Sequence, residues 1–433
     1  AVPLTDLSVP STDANSSDPL DQDRSEEGEA EPEIELRGPN AEAITAFKRG
    51  DIEDCLRQLR KAVASDPGLP PPKLLLAGLY QKSGNLRRAR QLLEDVAAEN
   101  PNYPELYLTL ANIAIAEGRY TEALLSFQQM ETLGAPENWD DEKEQLCEST
   151  IRLGRVSIAE KRGNWEQAQI LLAEATRRSP DNVRLRDRWA TALLRAGREQ
   201  SAFDQFDIAY QKDKSQNRPE ISMGVVHLTQ GNIAKCEDWY RKALANHPND
   251  AQVHLEWGKA LLFLDRAQEA SEHLAKAAEL GLTSYELDLQ QGIAARQLGQ
   301  FAEAETHLRK AAESDTTREQ AMYHLVVTLA AGADESQREE ALQLATDMLK
   351  DFPRSAAAAA AYGAALHANG QFEQAEAALR RAATLPGTSL EHIYLLGRVL
   401  KAQSKDREAA QIREILAKNV DRPTLFVLRS AAR

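Results

Sequence analysis

A small side chain returns at a near-constant interval along most of this chain. Starting from Cys55, the same slot is held by Ala89, Ala123, Ala168, Ala202, Cys236, Ala270, Ala304, Ala341, Ala375 and Ala409, with every step 34 residues long except one of 45 and one of 37. Five positions earlier runs a glycine ladder: Gly50, Gly84, Gly118, Gly163, Gly197, Gly231, Gly299 and Gly370. Twelve positions earlier runs a third ladder: Ala43, Ala77, Ala111, Val156, Ala190, Gly224, Gly258, Gly292, Gly363 and Gly397. A fixed period in this range means an array of like units, each unable to bury its apolar surface without a neighbour.

The interior of one period predicts two helices. In the stretch from Pro70 to Tyr103, Lys73, Leu76, Ala77 and Tyr80 share one helical stripe, and Leu86, Ala89, Leu93 and Val96 form a second. Gly84 and Asn85 separate the stripes, where glycine eases a tight turn. Asn100-Pro101 stops the second helix, because a residue before proline is pushed out of helical geometry. Small residues at Ala77 and Ala89 let the two backbones come close, and large replacements there should overpack. The unit ends SPDN (Ser179–Asn182) and HPND (His247–Asp250) add an Asp or Asn suited to cap the next helix.

The length and the small–Gly–Ala–aromatic–Ala–Pro pattern of these units resemble the tetratricopeptide (TPR) repeat family, over residues 36 to 419. The resemblance implies an all-α, right-handed superhelical solenoid of about eleven helix-turn-helix units, with the first helices lining a concave ligand face. An eleven-residue insertion at 138–148, containing Trp139, is expected to extend the first helix of the fourth unit, and Cys147 is expected ahead of a helix. Three extra residues near Gly332–Ser336 lengthen the turn of the ninth. Three domains are expected: a disordered acidic tail at 1–36, the solenoid at 37–419, and a capping segment at 420–433 whose Leu425, Phe426, Val427 and Leu428 cover the last unit.

Charge narrows the partners. The chain carries a net −15, and residues 1–36 hold eleven acids against Arg24 alone. The remainder has 51 bases and 56 acids, a near balance that argues against nucleic-acid binding. The acidic, Pro/Ser-rich leader resembles a linker left after cleavage of an exported protein, so an exported, periplasmic or membrane-tethered location is expected over a cytoplasmic one. No stretch reaches the length of a membrane span. The three cysteines show no disulfide or zinc spacing, and Cys55 and Cys236 sit in the small-residue slot as core fillers. No nucleotide loop, metalloprotease or nucleophile-elbow motif occurs. His227 and His254 fall on packing stripes. No enzyme, cofactor, metal or small-molecule substrate is expected.

The slots that line the concave face in TPR arrays give a candidate partner-binding set here: Leu74, Leu108, Asn112, Arg184, Arg188, Arg195, Val225, Leu255, Lys259, Phe263, Arg296, Tyr323 and Arg398. Arg184, Arg188 and Arg195 share a helix face and could grip a carboxylate. The Lys/Asn clamp of some TPR proteins is not reproduced: Asn112 matches one slot, but Leu74, Gly78, Leu153 and Ser157 do not supply the rest. The function expected is a protein-interaction scaffold that takes a partner peptide or helix on the concave face. The alternatives are a regulatory or targeting arm of a larger enzyme or membrane assembly, and an acidic-tail chaperone for basic clients. Homo-oligomerisation through repeat edges fits the pattern as well.

Overall fold

The computed structural model describes residues 39–418, apart from 67, 137, 138 and 333. The proposed tail at 1–36 and cap at 420–433 lie outside the described residues, which contain twenty-two helices and no strand. They form two compact units that meet in sequence at Asp213 and Lys214.

The N-terminal unit holds α1 (Pro39–Lys48), α2 (Ile52–Ser65), α3 (Pro72–Lys82), α4 (Leu86–Glu99), α5 (Pro104–Ala116), α6 (Tyr120–Leu133), α7 (Asp141–Lys161), α8 (Trp165–Arg178), α9 (Val183–Arg195) and α10 (Glu199–Lys212). The C-terminal unit holds α11 (Pro219–Thr229), α12 (Ile233–Asn246), α13 (Ala251–Phe263), α14 (Ala267–Glu279), α15 (Tyr285–Gln297), α16 (Phe301–Ala311), α17 (Asp315–Ala330), α18 (Glu335–Asp351), α19 (Ala356–Ala368), α20 (Phe372–Ala382), α21 (Leu390–Ala402) and α22 (Asp406–Ala417). Odd-numbered helices are the first of each pair and even-numbered ones the second. Within each unit every helix packs on its neighbours in sequence, and the first helices of successive pairs also touch at α3–α5, α5–α7, α11–α13, α13–α15, α15–α17, α17–α19 and α19–α21.

One turn chemistry recurs between the partners of a pair. Gly84 sits at φ +78°, its amide bonds to the Gln81 carbonyl at 2.9 Å, and the Asn85 amide reaches back to the Tyr80 carbonyl at 2.9 Å. This closes the orphan carbonyls at the end of α3. Every glycine of that ladder has positive φ, and of its three breaks Asp265 and Ser404 keep the same backbone at φ 62° and 59°, while Ser336 lies within α18 of the lengthened ninth unit. The conformation therefore belongs to the unit, and glycine is its cheapest occupant. Asp51, Asn85 and Asn164 then cap α2, α4 and α8 with their side chains. Asn182 and Asp250 cap α9 and α13, as the unit-end motifs suggest, whereas α5 starts at Pro104 after Tyr103 with no side-chain cap.

The third ladder sets how closely the paired helices approach. Ala77, Leu93 and Val96 meet in one buried cluster, with Ala89 completing the seam. In the C-terminal unit the slot becomes glycine, and a β-carbon there would collide with a large side chain of the second helix. The contacts would be 2.8 Å to Tyr240 from Gly224, 2.7 Å to Leu274 from Gly258, 2.6 Å to Leu308 from Gly292 and 2.5 Å to Leu379 from Gly363. Helix α7, at 21 residues the longest described, takes in the inserted residues from Asp141 onward. Cys147 is buried inside this helix instead of preceding it, because Asp140 caps the chain about two turns earlier through the Lys143 amide at 2.8 Å. All three cysteines are buried and unpaired.

Candidate functional site

In the N-terminal unit the equivalent slots Leu74, Leu108, Leu153 and Asp187 follow one another along the first helices α3, α5, α7 and α9. Leu74 is a correction to the candidate set: it is only 5% exposed and belongs to the core with Leu93 and Leu106. Leu108 and Asn112 remain half-buried, as do Ile115, Leu153 and Ser157. They form an incompletely covered face with an apolar floor, since Leu108 and Ile115 rest on the core of Ala111, Phe127 and Ile151. A β-carbon on Gly78 would meet nothing within 4 Å, so the space beside α3 is open there.

The arginine cluster of α9 is not a ready anion grip. Arg188 is committed to Glu160 of α7 at 2.9 Å, and Arg195 lies over the Trp165 ring, 4.6 Å from its centroid. Arg186 donates to Gln205 at 2.7 Å, and Arg198 pairs with Glu166 at 3.1 Å. Arg184 stays exposed. These arginines thus mostly join α9 and the turn after it to α7 and α8 of the preceding pair and to α10 of their own. Asp187 was missed by a search for cations and apolar residues. Burial pushes its carboxyl up to about 7.

The first helices of the C-terminal unit are filled by their own side chains. Val225 and Leu255 are each 3% exposed and pack in one cluster with Ile221, Tyr240 and Leu262. Tyr323 is 5% exposed. These three therefore serve the core and cannot present an apolar strip to a partner. Phe263 is half-buried against the same cluster as Leu255. Lys259 sits between Glu256 at 3.2 Å and Glu286 at 3.5 Å; burial works against its charge, and the two carboxylates more than restore it. Arg398 is exposed on α21.

Arg296 is the most consequential of the set. Its guanidinium donates to Glu391 at 2.9 Å, joining α15 to α21 across 95 residues. Burial would raise the Glu391 carboxyl, but the Arg296 charge overrides it and holds the group at about 2. His324 is driven down to about 3 by burial and by the same arginine, and His392 to about 4 by burial. His392 accepts from the Ser389 amide at 3.2 Å in a capping box that starts α21. Glu391 occupies a concave-face slot of its own repeat, so that slot pattern, extended to acids, would have found it.

Comparison with known families agrees with this architecture. Tetratricopeptide repeat models match residues 46–99 and 82–131, 153–217, and 286–310 with 356–381. The chain is a tetratricopeptide repeat protein. This TPR chain is 24% identical over 259 residues to cellulose synthase operon protein C of Pseudomonas fluorescens, which covers 58% of the chain and 17% of that protein. It is 26% identical over 271 residues to the TPR repeat-containing protein YpiA of Bacillus subtilis, covering 60% of the chain and 59% of that protein. The TPR chain therefore spans less than two thirds of either relative. Among solved structures, yeast Tom70 is 14% identical, with 90% of this chain and 94% of that one covered at a TM-score of 0.36. Among the described residues no group of three or more His, Cys, Asp or Glu side chains could hold a metal ion. No described helix is long and apolar enough to cross a membrane.

Proposed function

We propose that this TPR protein is a non-enzymatic interaction scaffold that takes a protein segment on the first-helix face of its N-terminal unit. TPR proteins are generally protein-interaction scaffolds. The observation that carries the assignment to this face is the contrast between the two sets of first helices. Leu108, Asn112, Ile115 and Leu153 are half-buried on an apolar floor, while their counterparts Val225, Leu255 and Tyr323 are spent on the core. A half-covered apolar face with a few amide and hydroxyl groups suits an amphipathic helix or extended peptide, whose apolar side chains gain burial while Asn112 and Ser157 orient its backbone. The near-neutral repeat body favours a protein partner over nucleic acid.

A photo-crosslinking side chain placed at position 112 should form adducts with a discrete protein partner in extracts of the source organism. The same group placed at Gln91, exposed on a second helix, should not. L108E and L153E should each abolish the adduct without unfolding the chain. Equal adducts from positions 91 and 112, or adducts that survive both substitutions, would reject this face as the partner site.

A further inference from the structure

We propose that Arg296 is a carboxylate-binding point of the C-terminal unit, and that Glu391 holds it as a built-in competitor which an acidic partner segment replaces. The pair is unusual among this chain's ion pairs in skipping two complete helix pairs, from α15 to α21, while most described pairs lie within a helix or between adjacent repeats. Both members are well covered, with side-chain exposures of 12% for Arg296 and 19% for Glu391.

The surroundings hold more donors than acceptors. Arg296 spends one terminal N–H on Glu391, while its Nε is buried without a hydrogen-bond partner. His324 Nδ1 is buried and unpartnered as well, and the buried Tyr323 hydroxyl lies beside the Glu391 carboxylate. Tyr323 packs edge-on against both His324 and His392, with ring centroids 5.0 and 5.2 Å away. Both imidazoles are neutral at physiological pH, so they offer Arg296 no countercharge. Glu391 is thus the anion that balances Arg296, and it leaves unused the Arg296 Nε–H, which the oxygens of a second carboxylate could fill.

This arrangement imposes a selection rule. A buried guanidinium is very costly without an anion, so a neutral segment cannot displace Glu391 and a carboxylate-bearing one can. The exchange conserves charge at Arg296 and sets Glu391, in the first turn of α21, free to move into water. Access to this side of the C-terminal unit is then governed by the chemistry of the ligand. The proposal rests on the reading of this chain as a scaffold for protein segments; at Arg296 the contact is a carboxylate and not the apolar strip that the C-terminal first helices lack.

The test uses the full chain with a fluorescein-labelled hexaglutamate peptide, read by fluorescence anisotropy, and a hexaglutamine peptide as the neutral control. Glu391→Gln removes the competing charge but keeps an oxygen for Arg296. It should tighten hexaglutamate binding at least tenfold over wild type and leave hexaglutamine unbound. In the double variant R296Q/E391Q the gain should vanish. If Glu391→Gln does not fold, as judged by circular dichroism, E391D draws the carboxylate back by one methylene and should show a smaller gain in the same direction. Equal hexaglutamate affinity in wild type and the folded Glu391 variant overturns the proposal, and so does a gain that persists in R296Q/E391Q. Loss of the position-112 adduct in L108E alongside no gain at Glu391 sinks this inference and leaves the N-terminal assignment standing.

Discussion

Replacing Gly292 by alanine should loosen the α15–α16 pair, although alanine is the better helix former. On propensity alone the change gains about 1 kcal/mol. The new β-carbon, however, would lie 2.6 Å from Cγ and 2.8 Å from Cδ2 of Leu308, and 3.3 Å from that residue's backbone nitrogen. Leu308 is fully buried between Ala304 and Ala311, and its branch carbon cannot swing aside as a chain end could. Overpacking of this kind costs roughly 1–3 kcal/mol. A contact about 1 Å inside the normal carbon–carbon separation belongs at the upper end of that range. The net loss is then about 2 kcal/mol, equivalent to roughly thirtyfold faster opening of the pair. Gly78 supplies the control: it lies within α3, and a β-carbon there meets nothing within 4 Å, so G78A should keep the whole propensity gain of about 1 kcal/mol. Hydrogen exchange followed by mass spectrometry reads both helices in the same molecule. Unchanged or slower exchange of α15 and α16 in G292A would refute the idea that close approach selects glycine in this slot.

Three further outcomes are expected from the same structure. Ser404 holds a left-handed turn at φ 59°, so S404G should slow exchange at the α21–α22 turn by a gain of about 0.5 kcal/mol, the left-handed cost less glycine's unfolded-state entropy; a loss would contradict it. The Asp187 carboxyl is raised from 3.8 to about 7, so the stability its protonated form contributes is complete below pH 4 and is lost as pH rises through 7, on the order of 4 kcal/mol in all. D187N should flatten that decline in the pH dependence of α9 exchange, and superimposable profiles for wild type and variant would count against it. S389A removes the capping box of α21 and should cost about 1 kcal/mol, read as faster exchange in the first turn of that helix; no change there would mean the cap carries nothing.

Much of the architecture could be read from the chain as written. The 34-residue recurrence located the helix pairs, because small residues suit the places where two helices cross closely and a left-handed turn joins most pairs. The interval is local chemistry, and it survives even where Asp265 and Ser404 replace the glycine. The candidate site was legible only in part. Slot counting put Leu74, Leu108, Val225 and Leu255 in equivalent roles, yet Leu108 is half-buried and the other three are core residues. The difference lies in how tightly neighbouring pairs close on one another. That closeness depends on contacts between distant residues, such as Val225 with Leu255 in one cluster and Arg296 with Glu391 across 95 residues. A periodic sequence repeats its instructions for each unit but holds no local record of which side chains the packing of successive pairs will bring together, so the exposure of a slot and the partner of a charge were settled by the tertiary structure alone.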